Sequence, residues 1–350
     1  MPKLAIASIG PASSVQDGGR PGSQRYGLTP SGAMDRLALA AANTLVGNAP
    51  FAAAIEVGPF GAAFTARGGS VRVALAGAPR GADIAKRPAA VDSSMTLADG
   101  ETLTLGFARN GSFSYLAIEG GIAGEPMFGS LSVNARAGLG SPYPRPLQAG
   151  DELQAHAASG APERRIELPG VSDAPIRVVL GPQDDEFSEE TTALFLASDW
   201  KISPTSDRMG YRLEGPVIKH LHGHNIVSDG TVNGSIQVPG NGQPIVLMPD
   251  RGTSGGYPKI ATVISADFGR FAQISAGRSF RFKVVSMAEA QAEAKKFAEL
   301  IRTLPDRLRA DSVEFNIEAL ADANVAGHAV SAVDAGTWHP FTHSESEQAP

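Results

Sequence analysis

The 350-residue sequence predicts a mainly β protein with flanking helices (α+β), arranged as two domains. Three observations lead there. Short β-branched or alternating segments recur along the chain, each bounded by Gly, Asn or Asp. Its 40 glycines and 25 prolines are spread throughout instead of gathering in low-complexity tracts, which implies many turns between short strands. A polar, proline-containing stretch, residues 158–173 (ASGAPERRIELPGVSD), separates two strand-rich halves.

In order along the first domain (1–165), Val71 to Ala76 (VRVALA), Thr102 to Phe107 (TLTLGF) and Phe113 to Ile118 (FSYLAI) read as strands. A helix precedes them: Ser31 can cap it, Asp35 lies in its first turn, and Met34, Ala38, Ala41 and Leu45 keep a helical period until Gly47-Asn48. The second domain (174–290) opens on the strand IRVVLG at Ile176 to Gly181. A helix follows Ser188, with Glu189 and Glu190 in its first turn, and strands are expected near 235–238, 245–248, 260–264 and 279–285. Strict alternation in the last of these predicts one buried face. Ser286 and Glu289 form a legible capping box ahead of an alanine-rich run stopped by Pro305, so a closing helix is expected over 286–304. Residues 311–350 lack firm periodicity and end in HSESEQAP, a tail to which no chemistry is assigned.

Several classes are excluded by composition. With no cysteine there is no disulfide framework, thiolate zinc site or cysteine nucleophile. The start, MPKLAIA, has too short an apolar stretch for a secretory signal, and no apolar run reaches membrane-spanning length; a cytoplasmic protein is expected. Lys and Arg number 30 against 36 Asp and Glu, with no basic stripe, so neither nucleic acid nor an anionic membrane is an expected partner. No nucleophile elbow is expected, and the phosphate loop and the strand-linked G-x-G-x-x-G unit are missing. So is the Met-Lys-Met biotinylation tripeptide, which means that any biotin would arrive on another chain.

Two glycine-rich segments concentrate amides and charges. One runs from Gln16, Asp17 and Arg20 to Asp35; the other runs from Gln237 and Gln243 through Asp250, Arg251, Thr253, Gly255, Gly256 and Tyr257 to Lys259. Glycine lets backbone N–H groups approach a ligand closely, and successive amides can hold a carboxylate or a developing oxyanion. Gln237 and Gln243 can read an amide or lactam, Arg251 and Lys259 can neutralise a carboxylate, and Asp250 can act as general base or hold a water. The blander reading is that the glycines make turns and the Asp–Arg pairs tie loops together. His220, His222 and His224 have a metal-compatible spacing, yet Gly223 argues for a connecting loop, and no metal is expected. Asp184, Asp185 and Glu186 precede a helix start, where the helix dipole already favours them. Trp200 and Tyr211 read as core or rim aromatics.

At these same segments the chain resembles the biotin-dependent carboxyltransferase A/B-subdomain family, which comprises allophanate hydrolase subunit 2, the corresponding part of urea carboxylase, and the C-type component of 5-oxoprolinase. The stretches that carry the resemblance are VQDGGRPG (15–22), PSGAMD (30–35), AANTLVGN (41–48), EVGPFG (56–61), LGPQDDEF (180–187), SDRMGYRLEG (206–215) and NGSIQVPGNGQPIVLMPDRGTSGGYPKIATVI (233–264). Together they span most of residues 4–290. The resemblance implies that the second domain is a cyclophilin-like β-barrel, without implying prolyl isomerase activity. It also implies one component of a larger enzyme, inactive alone, that pairs with a carboxyltransferase C/D-type chain (the B-type component of 5-oxoprolinase) and with an A-type component. The implied reaction is ATP-dependent opening of the 5-oxoproline lactam to L-glutamate, with the ATP-binding component unassigned. On that reading Gln237 and Gln243 orient the lactam, Arg251 and Lys259 face its carboxylate, Asp250 assists a water, and Gln16, Asp17, Arg20 and Asp35 complete the pocket or the seam between components. Two alternatives stand beside it: a urea or amide carboxyltransferase component served by a separate biotin carrier, and a non-catalytic regulator that binds its paired protein.

Overall fold

Alternation along the strand Val71–Gly77 divides its side chains between two cores. Val71, Val73 and Leu75 face one core, and Ala74 and Ala76 the other. The antiparallel neighbour Ser114–Ile118 divides likewise, with Leu116 and Ile118 beside the valines and Tyr115 and Ala117 beside the alanines. This is the period-two side-chain alternation that strand geometry imposes. The computed structural model describes residues 1–170 and 172–310; the tail expectation for 311–350 lies outside them.

The first core fills a sandwich. Its outer sheet has six strands in the order Glu152–Gln154, Lys3–Ile9, Ala62–Arg67, Thr102–Ala108, Arg80–Ile84 and Arg87–Ala89. From it Leu4, Ile6, Phe64, Leu103 and Leu105 meet the valines and leucines of the second sheet. That sheet has seven strands: Ser14–Gln16, Ala54–Val57, Ser114–Ile118, Val71–Gly77, Ser93–Leu97, Arg164–Ile166 and Leu308–Ala310.

Helix α1 (Arg36–Leu45) packs on the alanine face of the second sheet. Alanines on both partners let the backbones approach, while Leu39 and Leu45 are fully buried, each contributing roughly 1.5–3 kcal/mol. The cap expected at Ser31 belongs instead to Asp35, whose Oδ1 accepts from the N–H groups of Leu37 (3.0 Å) and Ala38 (3.2 Å). Ser31 sits in a left-handed turn at φ 52 four residues earlier, too far back to reach those donors.

The third sheet has eight strands in the order Ser279–Phe280, Trp200–Ile202, Gly210–Glu214, Ile245–Leu247, Ser235–Gln237, Lys259–Val263, Ile176–Leu180 and Phe282–Val284. Its first and last members are separated in the chain by Arg281 alone, so one segment forms both edges and nearly closes the sheet into a barrel. The single strand expected over 279–285 therefore splits. Phe280 pairs antiparallel with Trp200, Phe282 pairs parallel with Ile176, and Arg281 turns outward to Asp199 at 2.7 Å. Inside the barrel, Phe195 of helix α2 (Glu189–Ala197, capped by Ser188) stacks on Phe282 at 4.9 Å, and Trp200 is fully buried. Tyr211 is a core aromatic too, its hydroxyl donating to the Ala272 carbonyl at 3.0 Å.

Helix α3 (Ser265–Ala272) packs against the strand Ile176–Leu180 and against helix α4 (Met287–Arg302). The expected capping box at Ser286 and Glu289 is present. Among the described residues no helix is long and apolar enough to cross a membrane.

Candidate functional site

Three strand pairings set four side chains in a row across the outside of the barrel. Arg212 stands opposite Ile245, Ile245 opposite Gln237, and Gln237 opposite Lys259. Their neighbours Tyr211, Val246, Ile236 and Ile260 belong to the core. A bulge at Ile260 lets both Ile260 and Ala261 face inward and brings Lys259 level with Gln237.

The inner end of this row is covered. A two-stranded ribbon, Asp229–Gly230 paired with Ser254–Gly255, lies over Gln237 and Lys259, leaving them 7% and 2% exposed. Lys259 Nζ donates to Asp229 Oδ2 at 3.0 Å, and the same oxygen accepts from Gln183 Nε2 at 3.2 Å. The hydrogen bond from Lys259 holds the Asp229 carboxyl below its usual range, so it is ionised at neutral pH. Gln237 Nε2 is buried with no hydrogen-bond partner, abutting Gly255; a Cβ at that glycine would collide with it. An orphaned buried amide donor costs roughly 1–3 kcal/mol and is worth an explanation.

Beyond the outer end of the row lies a groove of three depressions that share lining residues. One of about 270 Å³ is lined by Gln237, Arg212, Arg136 and Asp207, and shares Arg212 and Ile245 with a second of about 560 Å³ that Gln243 and Tyr257 also line. It shares Arg136, Asp207 and Met209 with a third, of about 750 Å³, whose lining also includes Phe60, Phe107, Arg208 and Asp250.

With this geometry in view, the chain can be compared with known proteins. The pattern of the carboxyltransferase domain, subdomain A and B, matches residues 26–284. The chain belongs to this family. It is 38% identical over 294 residues to the C component of 5-oxoprolinase from Escherichia coli, covering 82% of this chain and 93% of that one. The Haemophilus influenzae protein of the same name is 34% identical over 310 residues, covering 87% and 99%. Among solved structures, the Kluyveromyces lactis urea amidolyase superposes with a TM-score of 0.77 at 27% identity over 85% of this chain, which spans only 20% of that enzyme.

The other residues singled out from the sequence divide among separate networks. Asp250 is engaged by Arg208, whose Nε and Nη2 donate to its two oxygens at 2.9 and 3.2 Å. Arg208 Nη1 also reaches the fully buried Glu56 at 2.5 Å, and Glu56 in turn accepts from the Tyr115 hydroxyl at 2.6 Å. Burial alone would lower the Arg208 pKa, but Glu56 and Asp250 raise it well above the ordinary value. Arg251 is buried among neutral oxygens, donating to Asn233 Oδ1, to Gln24 Oε1 at 3.2 Å and to the Thr231 carbonyl at 3.1 Å; desolvation pulls its pKa down to about 10. The Thr253 carbonyl accepts from Gln24 Nε2 at 3.1 Å, and that of Gly256 from the Ile226 N–H.

The N-terminal segment is a loop clamp. Asp17 accepts from Ser130 Oγ (2.7 Å), Ser132 Oγ (2.5 Å) and the N–H groups of Gly19 and Leu131. Gln16 reaches the Val133 carbonyl, and Arg20 is buried against the carbonyls of Met127 and Ser132. Asp35 caps α1 and accepts from Gln273 Nε2 at 2.9 Å.

The three histidines lie in a loop, and among the described residues no group of three metal-type ligands forms. Sequence reasoning missed Asp229, Gln183, Glu56, Arg208 and Arg212 as site residues. Gln183, Glu56, Arg208 and Arg212 all lie in the quoted family stretches, so the stretches themselves were the available signal; Asp229 lies in a short ribbon strand outside them.

Proposed function

We propose that the chain is one component of a cytoplasmic, ATP-dependent 5-oxoprolinase, opening the lactam of 5-oxoproline to L-glutamate together with a B-type carboxyltransferase partner and an A-type protein. The observation that carries this reading is the 38% identity to the Escherichia coli protein over 93% of its length. Hydrolysis breaks the ring C–N bond and adds water across it, so the site must orient an amide and stabilise charge on its oxygen. Gln237 supplies the free amide donor for the ring amide, Lys259 supplies positive charge beside it, and Gln243 and Tyr257 line the approach. Asp250, with both oxygens on Arg208, holds the apolar end of the groove; the carboxylate bonded to Lys259 is Asp229.

The likeness to urea amidolyase supports a second reading, carboxyl transfer from a separate biotin carrier. To test both, the chain is purified with the proteins encoded beside it, and ATP-dependent glutamate release is measured with each component omitted in turn. Release that requires this chain and ignores avidin supports the 5-oxoprolinase; no release from an assembled complex, or avidin-sensitive consumption of urea, refutes it.

A further inference from the structure

We propose that Arg212 is the residue that reads the carboxylate of the substrate, so that the groove takes a small lactam or amide bearing an α-carboxylate. The inference rests on the 5-oxoprolinase reading and deepens it. Every other cation at the groove is engaged. Arg208 lies between Glu56 and Asp250, Arg136 pairs with Asp207 at 3.5 Å, and Lys259 pairs with Asp229. Arg251 is locked among Asn233, Gln24 and Thr231 and faces none of the three depressions. Among the described residues the Arg212 guanidinium alone in this groove has neither hydrogen bond nor ion pair, while its backbone is fixed: its N–H donates to Ser206 Oγ at 3.0 Å, and its carbonyl accepts from the Ser203 N–H at 2.9 Å.

Position supplies the second argument. Arg212 lines both the 270 Å³ and the 560 Å³ depressions, and Gln237, whose Nε2 is buried without a hydrogen-bond partner, lines the first. The two residues are separated by one strand, carrying Ile245 between them. Neighbouring strands lie about 4.8 Å apart, so their backbones are roughly 10 Å apart, a span that a five-membered ring with a carboxylate on one side can bridge. Ile245 then offers an apolar floor to the ring methylenes, Gln237 meets the amide, and Arg212 meets the carboxylate with the paired donors that its planar fork presents. Glu214, two residues along on the same strand, also lines the wider depression but makes no ion pair with Arg212.

The test uses the assembled complex carrying Arg212→Ala or Arg212→Lys. Losing a charge-assisted carboxylate contact should raise the KM for 5-oxoproline about tenfold to a hundredfold with kcat changed less than about threefold. Lysine should recover part of the loss. Inhibition by 2-pyrrolidinone, the same lactam without the carboxylate, should not change. An unaltered KM in a complex that turns over overturns the proposal while leaving the 5-oxoprolinase reading intact. A complex that never turns over 5-oxoproline refutes that reading instead, and equilibrium binding then decides for Arg212: the wild type must prefer 5-oxoproline to 2-pyrrolidinone and Arg212→Ala must lose the preference, and any other result overturns it.

Discussion

Replacing Arg208 with methionine removes one cation from between two carboxylates, and the structure sets the size of the effect. Glu56 is fully buried and Asp250 is 11% exposed, and Arg208 is the only cation bonded to either among the described residues. Arg208→Met keeps the volume and much of the apolar stem but leaves Glu56 with only the Tyr115 hydroxyl and the Met34 N–H, and Asp250 with no partner for its charge. Breaking one side of a buried ion pair costs about 3–5 kcal/mol. In a chain of this size each kcal/mol lowers Tm by about 2 °C, so the variant should melt about 6–10 °C below the wild type. Differential scanning calorimetry at pH 7.5 measures the shift. Adding Glu56→Gln and Asp250→Asn to Arg208→Met removes the uncompensated charges and should restore at least half of it. A shift below about 2 °C, or a triple variant no more stable than the single one, would refute the view of this trio as a charge-balanced structural network.

Two further predictions follow from glycine contacts and from burial of a single acid. Gly255→Ala meets only the flexible end of Gln237 and should change Tm by less than about 2 °C while cutting 5-oxoprolinase activity at least tenfold, whereas Gly181→Ala drives a Cβ into the Lys259 carbonyl and should impair folding itself; equal melting of the two variants would contradict this. Burial pushes the Asp92 carboxyl up to about 6, so the folded state holds its proton more tightly than the unfolded chain does, and stability falls as pH rises from about 4 to about 6. Asp92→Asn suits the left-handed backbone there (φ 59), keeps an oxygen for the Gly77 N–H, and should add about 1–3 kcal/mol above pH 7 and almost nothing at pH 4; a gain that is the same at both pH values counts against the assignment.

Legibility tracked the range of the forces involved. The strand Val71–Gly77 and the box Ser286–Glu289 were readable because alternation and capping act between residues a few positions apart. Helix α3 escaped: its cap position is Ile264, which offers no side-chain acceptor, and Gly269 interrupts it. The segment 279–285 read as one strand, because nothing local says that its two halves pair with opposite edges of a closing barrel. The same limit applies to the site. Gln237, Gln243 and Lys259 stood out as residue types in a glycine-rich run, but the row that joins Gln237 to Arg212 exists only through strand register, and Asp229 reaches Lys259 across 30 positions.

Charge alone did not separate chemistry from architecture in this chain, and exposure does. Asp250 with Arg208 and Asp229 with Lys259 are both pairs of opposite charge joined across tens of positions, and spacing does not tell them apart. In the fold the first pair is joined to a fully buried glutamate and a tyrosine hydroxyl, with only 11% of the Asp250 side chain exposed, so its loss acts through stability. The second spans a covered lysine and a carboxylate that is 51% exposed, next to an amide donor without a partner. An exposed carboxylate contributes little by itself, but burying a lysine against it costs desolvation, so the pair as a whole needs a reason other than stability. Asp229→Asn alone leaves the buried Lys259 ammonium unpaired and should lower both activity and Tm, whereas Asp229→Asn with Lys259→Met should regain Tm without activity, a separation that substitutions at Asp250 should not show.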